Sequence, residues 1–247
     1  MTVTLAHIWR HPVKSHGREP LSEVSLNAGQ TMPWDRTWAV AHEGARTDGS
    51  EWAPCANFSR GSKAPKLMAI NCKLDEATEI VTLSHPNCET ISLHPERDAA
   101  QLVAWVRPLM PEDRAQSSHV VRVKDRGMTD TPFPSISIAN IATHRAVEAK
   151  LDTSLSMQRW RANLWLDGLE AWDEFDWIGK TLRIGEVEFA IEERITRCLA
   201  TTANTETGER DADTLGALKS WGHQDFGIYG VVKNSGTIRQ GDKAELI

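Results

Sequence analysis

Cys198 lies in the run Glu193-Arg194-Ile195-Thr196-Arg197-Cys198-Leu199-Ala200-Thr201-Thr202, with Arg210 shortly after it. Positive charge close to a thiol favours the ionised sulfur, and a thiolate is a nucleophile, a redox centre or a metal ligand. A cysteine kept only for packing behaves instead as a small hydrophobe and sits among apolar neighbours. A second group of residues suits a different chemistry. Lys14-Ser15, Asp35-Arg36, Arg159-Trp160-Arg161-Ala162-Asn163 and Thr201-Thr202 supply the donors that hold a phosphate and a polar heterocycle, arginine adding bidentate contact. Singly, each reads as an ordinary surface or salt-bridged residue. Gathered around Cys198, they would form a site for an anionic ligand beside a reactive sulfur.

The remaining reactive side chains offer no competing centre. Cys55, Cys72, Cys88 and Cys198 form no C-x-x-C pair and no zinc or iron–sulfur spacing, so free thiols in a reducing compartment are expected. Cys72, in an apolar stretch, reads as core, and Cys88, in His85-Pro86-Asn87-Cys88, as an incidental loop thiol. His85, His94 and His144 lack metal-ligand spacing and read as packed or solvated. The net charge of −6 disfavours nucleic acid and anionic membrane as partners, leaving room for a local basic pocket. Met1 to Val13 is broken by His7, Arg10 and His11 and lacks the apolar core expected of a signal peptide, and no apolar run reaches membrane-spanning length. The expected location is the cytoplasm.

The elements that must position these residues are mainly β. Thr37 to Ala41, Leu67 to Ile70, Ile80 to Leu83, Val120 to Val123 and Ile136 to Ile138 read as short strands between turn residues. Thr181 to Ile191 reads as a hairpin in which Gly185 supplies the positive φ of a two-residue turn. Gly227 to Val232 and Lys243 to Ile247 follow as strands, with Gly241-Asp242 as a turn. Three short helices are predicted. Asp98 caps one carrying Leu102, Val103, Val106 and Leu109, Asn140 caps one running to Leu151, and Asp211 or Asp213 starts one with Leu215, Leu218 and Trp221. Asp125 to Pro132 reads as a long loop between the halves. Cys198 falls where a strand gives way to a loop, a common position for sites.

In order along the chain, these features resemble the MOSC domain, the molybdenum cofactor sulfurase C-terminal domain family. The likeness runs through Arg161-Ala162-Asn163, Trp172, Gly179, Leu182-Arg183-Ile184-Gly185, Arg197-Cys198, Thr201-Thr202, Thr207-Gly208, Phe226-Gly227-Ile228-Tyr229, Gly236-Thr237-Ile238 and Gly241-Asp242. The first part, through Ile8-Trp9-Arg10-His11-Pro12-Val13-Lys14-Ser15 and Trp34-Asp35-Arg36-Thr37-Trp38, is similar to the β-rich domain that precedes it in many members. The resemblance implies a MOSC β-barrel over 98–247 packed against an N-terminal β-rich domain over 1–97. It further implies a molybdenum cofactor, Mo-molybdopterin, held between the two, with Cys198 as metal ligand and catalytic centre. Lys14, Ser15, Arg36, Arg161, Asn163, Thr201 and Tyr229 match its cofactor-binding positions. A soft thiolate suits redox-active molybdenum.

Members of this family that reduce amidoximes imply a small-molecule substrate with an N–OH group, from which oxygen is removed. The electrons must come from a separate transfer protein such as a ferredoxin, a cytochrome or a flavin reductase, since no cysteine follows Cys198 to build a fused cluster. The alternative is a non-catalytic carrier of the cofactor, or of its sulfur as a Cys198 persulfide. A molybdenum-free thiol protein is the third reading of the residues alone. Cys55 to Leu67 only loosely resembles the family's glutamine–arginine–proline region, so Arg60 is not carried over as a ligand.

Overall fold

The computed structural model describes residues 2–247 as a mainly β molecule with three short α-helices. In chain order the elements are β1 (Thr4–Arg10), β2 (Glu19–Leu21), β3 (Glu23–Leu26), β4 (Trp38–His42), β5 (Asn71–Asp75), β6 (Ile80–His85), β7 (Cys88–Leu93), α1 (Ala99–Val106) and β8 (Ser117–Arg122). There follow β9 (Ile136–Asn140), α2 (Ile141–Leu151), β10 (Leu164–Asp167), β11 (Thr181–Ile184), β12 (Val187–Thr196), α3 (Thr214–Lys219), β13 (Asp225–Val232), β14 (Gly236–Arg239) and β15 (Ala244–Leu246).

The large sheet has eight strands in the order β15-β11-β12-β13-β9-β10-β1-β2. Only β9 and β10 run parallel in it, and α2 makes the crossover that parallel neighbours require. The expected hairpin is present: Ile184 faces Val187, so the loop is Gly185-Glu186, with φ of +56° at Gly185. Leu182, Ile184, Val187, Phe189 and Ile191 point to one side and are fully or almost fully buried, as a period of two demands. Because apolar burial stabilises by roughly 25 cal/mol per Å², this face anchors the strand that leads to Cys198.

The packing does not divide at residue 97. β1 and β2 extend the eight-stranded sheet beside β10, and β3 pairs with β14 in a separate two-stranded sheet, so the first strands are built into the C-terminal half. Conversely, α1 contributes Leu102 and Val106 to the core formed by Trp38, Val40, Leu74, Val81 and Leu83, and β8 pairs with β4. The chain touches the second body at the Val13 turn, which bridges to Trp38, returns in β2 and β3, crosses between Leu26 and Trp38, and crosses back after Arg122; Lys14, Ser15, Arg36 and Asp130 from these segments line the cleft described below.

Local details depart from the expectations in four places. Leu67 to Ala69 belong to a 3₁₀ turn, Pro65–Ala69, and the strand starts at Asn71. Proline, with φ preset and no N–H to donate, favours the first turn of a helix over a ladder. Cys88 heads β7 opposite His85 instead of lying in a loop. The Asp98 carboxylate accepts from the His94 N–H and makes no side-chain cap on α1. Of the two candidate caps for α3, Asp213 is the one used, accepting from the Gly216 N–H, and Trp221 lies beyond the helix. The Asn140 cap forms as expected, on the Ala142 N–H.

Candidate functional site

A cleft of about 230 Å³ opens between the two bodies. Among the described residues, six cationic side chains line it, Lys14, Arg36, Arg60, Arg159, Arg161 and Arg197, against one carboxylate, Asp130. The chain as a whole carries a charge of −6, so this excess is local. It arises from segments far apart in sequence that the crossings bring together.

One wall is the turn after β1 and the loop before β4. Val13 and His16 bridge across a tight turn that places Ser15 in the left-handed region, φ +63°, on the cleft. Arg36 is also left-handed, φ +52°, and its backbone N–H donates to the His11 carbonyl at 2.7 Å. For a residue with a Cβ that conformation costs about 1–2 kcal/mol, so the surroundings must hold it. They do so through Asp35. It accepts from the His11 N–H at 2.8 Å, lies 3.2 Å from His11 Nδ1 and pairs with the Arg36 guanidinium. Burial alone would raise the Asp35 pKa, but Arg36 and the His11 hydrogen bonds hold its carboxyl well below the usual carboxylate range.

The Asp125 to Pro132 loop closes this wall. Lys14 Nζ donates to the Met128 carbonyl at 2.7 Å and to the Asp130 carboxylate, and the Met128 N–H donates to the Arg36 carbonyl at 2.8 Å. A Cβ on Gly127 would sit 2.1 Å from the Asp35 carbonyl oxygen, so only glycine allows the loop to approach so closely. Asp130 keeps 54% of its side chain open to the cleft. Enclosure by the cleft walls works to raise its pKa, yet Lys14 and Arg36 outweigh it and keep the carboxyl ionised far below the usual range.

The opposite wall follows the 3₁₀ turn Met157–Trp160. Arg161 caps that turn with φ of +49° and donates Nη1 to the Gly17 carbonyl at 3.1 Å, while its own carbonyl accepts from Arg36 Nη2 at 3.0 Å. Its Nη2 is buried with no partner. Burial, then Arg36 and Arg18, lower its pKa to about 9. Arg159 pairs with Asp211 at 2.6 Å but leaves Nε and Nη1 buried and unpartnered. Unmade hydrogen bonds on buried cations are costly, and three on one wall point to an anion that would complete them.

Asn163 does not line the cleft. Its Oδ1 accepts from the Ser137 N–H at 3.2 Å and the Ser137 hydroxyl at 2.8 Å, and its Nδ2 donates to the Trp9 carbonyl at 3.1 Å. The carboxamide is spent within the protein, and Arg36 Nη1 reaches it at only 3.4 Å. The structure thus gives Asn163 a positioning place behind Arg36 instead of the ligand contact expected for it.

Cys198 is exposed, two residues beyond β12, at the head of the 3₁₀ turn Leu199–Thr202. The backbone on either side is fixed: the Arg197 N–H donates to the Gln224 carbonyl at 2.8 Å, and the Thr201 N–H and Oγ1 donate to the Cys198 carbonyl at 3.2 and 3.1 Å. Thr201 Oγ1 also meets Thr214 Oγ1 at 2.7 Å, so this hydroxyl closes a turn. The arginines that flank Cys198 in sequence are engaged elsewhere. Arg197 donates to the Phe226 and Trp160 carbonyls, Arg210 to Leu199 and Ser62 carbonyls, and Arg194 lies over the Phe175 ring at 4.3 Å. Tyr229 reaches the cleft from β13, edge-on to Phe133, and burial followed by the Asp130 charge pushes its hydroxyl pKa up.

The cleft therefore gathers Lys14, Ser15, Arg36, Arg161, Cys198, Thr201 and Tyr229. It includes Arg159, one of the donors singled out in the sequence, and adds Asp130, Arg60 and Cys55, which sequence reasoning did not select. Asp130 had a signal of a kind, a lone acid between threonines in a loop too long for a simple connection. Elsewhere, space places His94 within ligand distance of Glu79 and Glu96. That group is not built for a metal. His94 Nδ1 accepts from the Glu96 and Arg97 N–H groups, which leaves the proton on Nε2, and Arg122 already bridges both carboxylates at 2.7 and 3.2 Å.

A family model described as the MOSC domain matches residues 125–245, and one described as the MOSC N-terminal beta barrel domain matches 2–115. The chain is 25% identical to mitochondrial amidoxime-reducing component 1 of Homo sapiens, over 99% of this chain and 83% of that protein. It is 30% identical to mitochondrial amidoxime reducing component 2 of Macaca fascicularis, over 97% and 82%. Molybdenum cofactor sulfurase of Drosophila willistoni is 29% identical over 47% of this chain and 14% of its own length. Among solved structures, the YUAD protein from Bacillus subtilis shares the fold, with a TM-score of 0.51 at 14% identity over 100% of this chain and 96% of that one. No helix among the described residues is long and apolar enough to cross a membrane. With both halves matched in order and a relative at 30% identity over 97% of this chain, the chain belongs to the MOSC-domain family, as an N-terminal β-barrel domain followed by a MOSC domain.

Proposed function

We propose that this chain binds a molybdenum cofactor in the cleft between its two bodies and uses it to remove oxygen from N-hydroxylated compounds. The observation that carries the reading is one exposed thiol, Cys198, sharing a cleft with buried arginine N–H groups that lack partners. The residues fit such a group. Arg161, Arg36, Lys14 and Ser15 would hold its phosphate and pterin, and Cys198 would ligate the metal. When bound, the molybdenum supplies the two-electron chemistry that removes oxygen from N–OH.

The chain's own residues do the rest. Asp35 and His11 lock Arg36, and Asn163 backs it, so the cationic wall is preorganised and loses little entropy on binding an anion. The 3₁₀ turn after Cys198 presents the sulfur without committing its backbone to the ligand. Asp130, kept ionised by Lys14 and Arg36 and open to the cleft, is too weak a base to take a proton, but it can accept a hydrogen bond from a bound donor and orient it. Tyr229 keeps its hydroxyl protonated and can donate to an oxygen in the cleft. Electrons come from a separate transfer protein, and the names of the amidoxime-reducing relatives support the substrate class.

The test is to purify the chain from a host that makes the cofactor and measure molybdenum and released pterin. Wild-type protein should hold both, and Cys198→Ala should lose the metal. Chemically reduced wild type should convert benzamidoxime to benzamidine. Protein free of molybdenum and pterin from a competent host overturns cofactor binding; loaded protein that leaves the amidoxime intact overturns turnover and favours a carrier.

A further inference from the structure

In the reading above Lys14, Arg36 and Arg161 take the phosphate and pterin, Arg159 pairs with Asp211 and Arg197 with backbone carbonyls, which leaves Arg60 without a task. It stands on the wall made by residues 55–62, half-buried, and its only side-chain hydrogen bond is from Nη1 to Cys55 Sγ at 3.0 Å. Sulfur is a weak acceptor that orients the guanidinium without neutralising it. Among the described residues no carboxylate lies within 4 Å of Arg60, and the one acid of the cleft, Asp130, is paired with Lys14. A cation facing a cleft with free donors and no counter-charge is made for an anion that arrives from outside.

Its position is also fixed relative to Cys198. The Arg60 carbonyl accepts from the Lys63 and Ala64 N–H groups at 3.0 and 2.9 Å, anchoring the turn into the Pro65–Ala69 helix. Arg210 spans from the Leu199 carbonyl to the Ser62 carbonyl, tying this wall to the turn after Cys198. Gly61 lies between: an added Cβ would meet the Met68 sulfur at 2.5 Å and the Ala200 Cβ at 3.4 Å. The backbone that carries Arg60 is therefore tied to the turn that carries Cys198, and both side chains line the one cleft.

We propose that Arg60 receives a negatively charged group on the substrate, so that the favoured substrates are N-hydroxylated compounds carrying a carboxylate or comparable anion away from the N–OH group. This rests on the reductase reading above and specifies its substrate class.

The experiment compares 4-carboxybenzamidoxime with benzamidoxime on chemically reduced, molybdenum-loaded protein. Wild type should favour the carboxylated compound about 10- to 100-fold in kcat/KM, carried by KM, as one charge-assisted contact supports. Arg60→Gln should collapse that ratio toward one, and Arg60→Lys should keep part of it. Equal kcat/KM for both compounds in wild type, or a ratio untouched by Arg60→Gln, overturns the proposal. If neither compound is reduced, the reductase reading fails, and equilibrium binding still decides on Arg60. Calorimetry with 4-carboxybenzamidine and benzamidine should then show tighter binding of the first, lost in Arg60→Gln; equal affinities overturn the inference.

Discussion

Two charged clusters of this molecule look alike in composition and differ in how far they are satisfied. Around Arg122, two carboxylates, Glu79 and Glu96, take its N–H groups, Trp34 and Trp38 lie 5.7 and 5.5 Å from it, and Trp38 Nε1 completes Glu96 at 3.1 Å. In the cleft, Arg60, Arg161 and Arg197 have no carboxylate within 4 Å among the described residues, and buried N–H groups of Arg159 and Arg161 go unmet. A network that closes on itself holds a fold together. One that leaves donors open is shaped for something else to close it, and it bears a cost until that arrives.

The largest difference between the two clusters is expected at Cys198. Because the side chain is exposed and makes no hydrogen bond, Cys198→Ala should change stability by less than about 0.5 kcal/mol while abolishing molybdenum retention, read by urea unfolding and metal analysis. Retained metal, or a large loss of stability, would place the thiol in the structural class. Asn163→Ala should act the other way round. Removing partners of Ser137 and Trp9 in the interior should cost roughly 2–4 kcal/mol by the same unfolding measurement, before any effect on the cofactor.

Acid sharpens the contrast further. Burial chiefly lowers the pKa of His11 to about 3 and of His16 to about 4, against 6.5 for the free side chain. Between these values the unfolded chain binds protons that the folded one refuses. The stability these two histidines contribute is therefore fully present above pH 6.5 and falls as pH drops from 6.5 toward 3. The double substitution His11→Gln, His16→Gln should flatten that slope in unfolding curves taken at a series of pH values; an unchanged slope would mean other groups set it.

The smallest effects separate the clusters by sign. Arg122→Met should cost about 1 kcal/mol, the worth of a half-exposed ion pair with its cation–π contact. Arg161→Met in cofactor-free protein should cost nothing or stabilise by up to about 1 kcal/mol, since it removes a buried charge with an unmet N–H. Equal destabilisation by the two would erase the distinction drawn above.

Much of this was legible along the chain. The β-hairpin at Gly185, the Asn140 cap and the run Arg161 to Asn163 are local patterns, governed by a few neighbouring residues, and the ordered motifs led to the family. Other features were not. The arginines beside Cys198 in sequence spend their N–H groups on backbone carbonyls or lie over an aromatic ring, and of Arg194, Arg197 and Arg210 only Arg197 lines the cleft with the sulfur. Asn163 lay beside ligand candidates in sequence, yet a shift of two residues from Arg161 takes its carboxamide into the interior. Asp130 and Arg60 lie in loops whose pairing with Lys14 and Cys55 no spacing rule encodes.

The β character, the main turns and the thiol follow from local sequence, since alternation, glycine φ and side-chain chemistry act over a few residues. Which cations face that thiol follows from long-range packing. Long-range pairing of β1 with β10 and β3 with β14 brings Lys14, Arg36 and Arg161 together, and whether each finds a counter-charge depends on packing between segments more than a hundred residues apart.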